Sequence, residues 1–433
     1  MDVSDAPRLR TVEENEPQLE LRADENNARA WLSVVGAFLF LFPSYGFMQS
    51  IGTIQSYVEL HQLSAYTTRD IGWITGVYIF LATVLGIQIG PLFDLYGPRV
   101  LGPAGAAIYI PTFFLLAECS KYWHFMLCLG VLGGIGAAIV STVAVAAIGK
   151  WFVRRRGLAM GLSLCGSSVG GVVIPLMLRQ LFPRVGWAWS MRALAFIVTV
   201  VLVIGSFCLQ PSPQHGQGRR ASGQRVSLGG ATLNFAALTS KAFISVAVGI
   251  FVLEFAIFGV FGLLPSYAVA AHFPAEMGYT LVAIANACSC LGRLLPGFAG
   301  DYLGHFNVLL FMILITVAFT ASILVPFGST SIAALYAFSA LWGFGSGSFI
   351  SLTPVCMGKT CETANYGRYY GTMYFFVSFS LLMALPLGGQ MLETLGTRAL
   401  AGLYLGVVFL GAICFLAARQ FLLGQTHSVK AKI

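Results

Sequence analysis

Apolar runs of about 20 residues, the length that crosses the ~30 Å hydrocarbon core of a bilayer, follow one another along almost the whole chain. They lie near 30–53, 71–92, 100–118, 123–148, 157–178, 187–209, 243–269, 278–299, 307–327, 330–353, 369–390 and 399–422. Charged residues make up only 10% of the chain and hydrophobic ones 57%, whereas soluble domains carry about 25% charged residues. The solvent for most of this surface is therefore lipid. Backbone polar groups cannot stay unpaired in hydrocarbon, so runs of this length are helices, because barrel strands would show alternation over about 10 residues. The expectation is an all-α membrane protein with twelve transmembrane helices.

The formal net charge of +8 is a topology signal and does not point to nucleic acid. With the N-terminus inside, eighteen Lys and Arg fall in cytoplasmic segments, among them Arg154, Arg155, Arg156, Arg219, Arg220 and Arg225, and only six in outer ones. By the positive-inside rule both termini are expected in the cytoplasm. Residues 1–29 hold eight acids and no apolar core, which reads as a disordered cytoplasmic tail and not a signal peptide. The nine cysteines show no disulfide spacing, and Cys288 and Cys290 point to different faces of one helix, as packing residues do. Six scattered histidines, no metal cluster, no nucleophile elbow and no nucleotide fingerprint leave no enzyme and no cofactor in the expectation. Gly-rich stretches such as Gly130–Gly136 and Gly343–Gly347 lack a Walker lysine and read as surfaces for close helix approach.

Between the sixth and seventh runs, residues 211–225 are rich in Pro, Gly, Ser, Gln and Arg, the composition of a flexible linker. The boundaries that follow are a six-helix bundle at 30–209, a cytoplasmic linker at 210–238, a second six-helix bundle at 239–423 and a tail at 424–433. The halves share a motif. Gly90-Pro-Leu-Phe-Asp94-Leu-Tyr-Gly97 and Gly297-Phe-Ala-Gly-Asp301-Tyr-Leu-Gly304 keep Gly, Asp and Gly at the same spacing, 207 residues apart. Two like bundles in parallel repeat, with a site at mid-membrane between them, are a transporter arrangement. The two loops look like the cytoplasmic gate motif of the major facilitator superfamily, with Arg99 after the first copy and His305 after the second.

Within that superfamily the chain resembles the monocarboxylate porter family, and its fungal branch in particular, over nearly all of residues 29–420. The likeness is carried by Arg29-Ala-Trp31, Gly36-Ala-Phe38 and Ser44-Tyr45-Gly46-Phe47 in the first run. Trp151-Phe-Val-Arg-Arg-Arg-Gly157, Gly166-Ser-Ser-Val-Gly170-Gly171 with Pro175, and Gly292-Arg293-Leu-Leu-Pro296 add to it. The resemblance implies that Arg293 meets the substrate anion and takes part in coupling. It also marks two departures: Ser289 stands where the animal members carry an acid, and Gln49 where they carry a lysine.

A charge at the bilayer centre costs a few kcal/mol, so an ionisable residue deep in a span is a functional candidate. Glu254 and Arg293 qualify. Counted along their helices they lie about 20 Å and about 12 Å deep, an axial gap within reach of two long side chains. Arg293 offers a planar fork to a carboxylate and Glu254 a place for a proton; a structural ion pair is the other reading. Tyr45, Gln49, Asn286 and Tyr374 are softer candidates for the cavity wall, since amides also tie helices together. Glu118, His124, Arg179, Arg192 and Arg398 sit near span ends, where they can snorkel to the interface. The expected function is a monomeric, plasma-membrane secondary transporter that moves a small organic anion by alternating access, with protons as a coupling ion. Export of a secondary metabolite and a transporter-like nutrient sensor are the alternatives.

Overall fold

The structure, a computed structural model, describes residues 27–152, 156–212, 235–360 and 366–423. The 1–26 part of the expected tail, most of the 210–238 linker and the 424–433 tail lie outside the described residues, as do the side chains of Asp94 and Asp301.

Among the described residues every regular element is a helix. Ten helical stretches are long and apolar enough to cross a membrane, and two of these, Arg156–Cys208 and Tyr366–Leu423, are far too long for one crossing. A 53-residue helix would extend about 80 Å. Each is broken by one glycine with a left-handed backbone, Gly186 (φ 71°) and Gly396 (φ 83°), so each is two antiparallel helices. Twelve membrane passages result. We label them α1 Ala28–Leu60, α2 Thr68–Tyr96, α3 Pro98–Leu116, α4 Tyr122–Trp151, α5 156–185 and α6 187–208 in one half. The other half holds α7 Lys241–Ala270, α8 Ala275–Leu303, α9 His305–Phe327, α10 Ile332–Gly358, α11 366–395 and α12 397–423. Because the number is even, the described chain begins and ends on one face, which also carries the 208–241 connection; we call it the linker face.

The repeat recognised in sequence is also a repeat in the backbone. Gly97 (φ 74°) ends α2 and Gly304 (φ 91°) ends α8, 207 residues apart, each donating its N–H to the carbonyl four residues back. A left-handed turn at the equivalent point of both halves lets α3 and α9 start at once without a loop. Side chains at α-helix starts complete the punctuation: Thr67 and Asp70 form a capping box, and Ser240 and Ser331 cap α7 and α10.

Without a hydrophobic drive between helices in lipid, small residues set the packing. A Cβ at Gly166 would lie 2.2 Å from the Phe38 carbonyl and one at Gly170 2.2 Å from the Phe42 carbonyl, which brings α5 onto α1 within the first half. Gly343 and Gly347 do the same for α10 against the Ala285 and Ser289 carbonyls of α8. The outer surface presents Phe207, Phe298 and Phe311, each more than half exposed, as a lipid-facing surface should. At the linker face Gln210, which follows α6 and precedes the stretch read as flexible at 211–225, is docked. The Gln210 carbonyl accepts from Trp151 Nε1 (2.9 Å), its N–H donates to Ser33 Oγ (3.1 Å), and its side-chain oxygen accepts from Arg99 (3.2 Å).

Candidate functional site

Among the described residues the two halves meet mainly along three helix pairs, α1 with α7, α2 with α11, and α5 with α8, with a smaller contact of α1 with α8. On the face opposite the linker they are tied by polar bridges. Ser266 Oγ of α7 donates to Glu59 Oε2 of α1 (2.8 Å), and Gln55, itself held by Thr75, donates to Glu59 Oε1 (3.2 Å). The Thr68 N–H of α2 donates to the Glu393 carboxylate of α11, and Arg69 to Gln390 (3.1 Å). Arg179 of α5 donates to Thr280 of α8 (2.9 Å) and lies 3.7 Å from Glu276. Arg179, placed by sequence near a span end, also joins the halves there. Toward the linker face a Cβ at Gly90 or Gly297 would meet nothing within 4 Å. The conformation is sealed on the far side.

Arg293 sits in the α5–α8 seam and is 5% exposed. Its Nη1 donates to the Leu164 carbonyl (2.9 Å) and to Ser167 Oγ (2.6 Å), both on α5. Its Nε and Nη2 are buried with no hydrogen-bond partner. Among the described residues no carboxylate lies in ion-pair contact with it, so the structural ion pair with Glu254, the other reading of these two residues, is not formed. Axial depth alone brought the two side chains together in the sequence reading; the face of α8 that carries Arg293 turns toward α5. Glu254 of α7 is buried, at 6% exposure, within electrostatic reach of Arg293, Tyr45 and Tyr374.

Four sequence candidates, Arg293, Glu254, Tyr45 and Tyr374, thus share one neighbourhood between the halves. Tyr45 and Tyr374 are half-buried, and the Tyr374 ring lies 4.6 Å from that of Tyr370. Gln49, one turn beyond Tyr45 on the same face of α1, is buried with Oε1 unpartnered. Asn286, two turns before Arg293 on α8, is fully buried against Gly171 of α5; its amide donates to the Val282 carbonyl (2.9 Å) and its Oδ1 is unpartnered. Asn286 therefore lies in the α5–α8 seam.

Three groups escaped the sequence reading. The Leu164 carbonyl has no side-chain signature, and Ser167 stands inside the glycine-rich motif that carries part of the family resemblance, with no site role expected for it. Glu59 fell beyond the expected end of the first span at 53, although α1 runs to Leu60. Of the gate residues, Gly90 and Gly297 lie inside α2 and α8, Gly97 and Gly304 form their ends, and Arg99 bonds Gln210; Asp94 and Asp301 lie outside the described side chains.

A profile described as Major Facilitator Superfamily matches residues 32–380. A riboflavin transporter of Saccharomyces cerevisiae is 32% identical over 92% of this chain and 80% of its own length. A fujikurins efflux protein of Gibberella fujikuroi is 31% identical over 91% of this chain and 82% of its own. Among solved structures, a nucleoside transporter superposes with TM-score 0.67 at 13% identity, covering 90% of this chain and 99% of that one, a likeness of fold alone.

Proposed function

We propose, from the premise that this chain belongs to the major facilitator superfamily and is a multi-pass membrane transporter, that it carries a small organic anion or carboxylated metabolite by alternating access. The observation that carries this reading is Arg293. A permanent cation, nearly fully buried, with two of its three nitrogens unpartnered is expensive to keep unless something pairs with it. The unsatisfied edge of a guanidinium matches a carboxylate in plane and spacing. Half-buried tyrosines at 45 and 374 add aromatic surface for a solute with an apolar or planar body. Glu254, buried and in reach of that cation, is the group to hold a proton when substrate moves.

In this reading the far side opens and closes by breaking the Glu59–Ser266 and α2–α11 bridges, while Asp94 and Asp301 hold the opposite gate on the cytoplasmic side. The carrier is a monomer of the plasma membrane with both termini in the cytoplasm. Export is a second reading, favoured by the efflux protein among the relatives. Purified protein in proteoliposomes, offered radiolabelled organic acids with and without a pH gradient, tests both. Uptake or counterflow of an acid that vanishes in Arg293→Gln and weakens in Arg293→Lys is the expected result. Unchanged flux in Arg293→Gln would overturn the anion site.

A further inference from the structure

Beside Arg293, two thiols from opposite halves face each other. Cys165 of α5 and Cys290 of α8 place their sulfurs 3.6 Å apart, across the same seam that Arg293 bridges to Leu164 and Ser167. Both side chains are half-buried, so a small solute can reach them. Cys290 lies one helical turn before Arg293, and Cys165 follows the residue whose carbonyl Arg293 grips. Two thiols brought into contact across a moving interface, next to a fixed cation, are more than packing requires.

We infer that Cys165 and Cys290 form a redox-modification site, at which a peroxide closes a disulfide that welds the two halves and arrests their rocking. The chemistry balances with a hydroperoxide as the oxidant. One sulfur, as thiolate, attacks the peroxide; the S–O bond forms, the O–O bond breaks, and the departing oxygen takes a proton and leaves as water or an alcohol. The sulfenic acid so formed is attacked by the second sulfur; the S–S bond forms, the S–O bond breaks, and a water leaves. The two sulfurs lose two electrons and the peroxide gains them. The sulfurs must close from 3.6 Å to about 2 Å, a movement that side-chain rotation and a slight shift of α8 can supply. The Arg293 charge lies within electrostatic reach of both sulfurs.

A disulfide limits the Cα separation to about 4.4–6.8 Å, so helices that must part or slide at this level can no longer do so. The bond thereby acts on the whole carrier although it touches only two side chains. It forms between halves joined in sequence by the Arg-rich stretch that includes Arg219, Arg220 and Arg225, and that arrangement makes it easy to detect.

The test uses the full chain in lipid nanodiscs and needs no transported solute. The protein is treated with hydrogen peroxide, alkylated, and cleaved by trypsin at the linker arginines. The halves are expected to stay together on a non-reducing gel and to separate after dithiothreitol, with a peptide pair containing Cys165 and Cys290 found by mass spectrometry. Motion is read by placing a cysteine at Ser266, which is 5% exposed in the far-side seal, and following its N-ethylmaleimide labelling by mass spectrometry. Peroxide should slow that labelling at least tenfold, dithiothreitol should reverse it, and Cys165→Ser or Cys290→Ser should each abolish the slowing. Halves that separate without reductant would overturn the site. A crosslink that forms while labelling stays fast would overturn the lock, because the seam would then turn about this point. Slowing that persists in both serine variants would place the oxidation at other cysteines and overturn it as well.

Discussion

The α5–α8 seam and the α2–α11 seam are the same contact made twice, related by the 207-residue repeat, and they carry opposite chemistry. In α2–α11, a Cβ at Gly76 would lie 2.6 Å from the Leu382 carbonyl, Phe80 stacks edge-on against Phe379 at 5.3 Å, and Gly371 touches Ile87. Hydrogen bonds join the two helices at the far end, at Thr68 and Arg69. In α5–α8 the corresponding middle holds Arg293, Ser167, Asn286 and the two cysteines. The residue 207 before Arg293 is Gly86, the one before Asn286 is Ile79, and the one 207 after Leu164 is Gly371. Duplication supplies the geometry of both seams, and among the described residues a buried cation, an amide and two thiols stand in the middle of α5–α8. The difference separates what the fold needs from what the solute needs.

The largest test exchanges the same position in the two seams. Arg293→Gln should reduce transport about a hundredfold or more, since removing one partner of a buried charged contact costs about 2–5 kcal/mol. Gly86→Ala, where a Cβ meets only the Thr142 hydroxyl at 3.3 Å, should change flux less than about twofold. Equal losses would mean that the seams are functionally alike. Next, Ser167→Ala removes a charge-assisted hydrogen bond worth about 1.5–3 kcal/mol from Arg293. Apparent affinity for the anion should fall about tenfold while melting temperature holds, as binding and thermal-shift assays on one preparation would show.

The two glycine contacts sharpen the comparison further. Gly76→Ala presses on a backbone carbonyl that cannot move alone and should cost about 1–3 kcal/mol of stability. Gly171→Ala presses on the Asn286 amide at 2.4 Å, which can swing aside, so its loss should stay under about 1 kcal/mol and show in transport instead. The smallest effect is expected at the far-side bridge. Arg179 and Glu276 expose 37% and 73% of their side chains, so Arg179→Met should lower stability by about 0.2–1 kcal/mol, the Thr280 bond included, and less in high salt.

The spans were legible because lipid demands a long apolar run wherever a helix crosses, and the paired Gly-Asp-Gly motifs marked the repeat. Arg293 was legible for the complementary reason that nothing in hydrocarbon excuses an unpaired cation. Its contacts were not, because a carbonyl such as that of Leu164 carries no residue-type signal and depth along a helix says nothing of azimuth; Glu254 lies within electrostatic reach of Arg293 without an ion-pair contact. Glu59 was hidden by its own polarity. Gln55, Ser56 and Glu59 end the hydropathy signal of the first span just where the helix buries the first two and sets Glu59 against the other half. Polar residues that face a partner helix instead of lipid shorten a span on paper without shortening it in the membrane.

At Gly186 and Gly396 an added methyl would meet nothing within 4 Å, yet both backbones are left-handed. The demand at these two bends is for chirality and not for room. An L-alanine there should cost about 1–2 kcal/mol, whereas a D-alanine installed by semisynthesis should fit without penalty. The reversal between α5 and α6, and between α11 and α12, is therefore encoded by a single stereocentre that is missing, and each hairpin can acquire its bend during insertion before any other helix arrives to shape it.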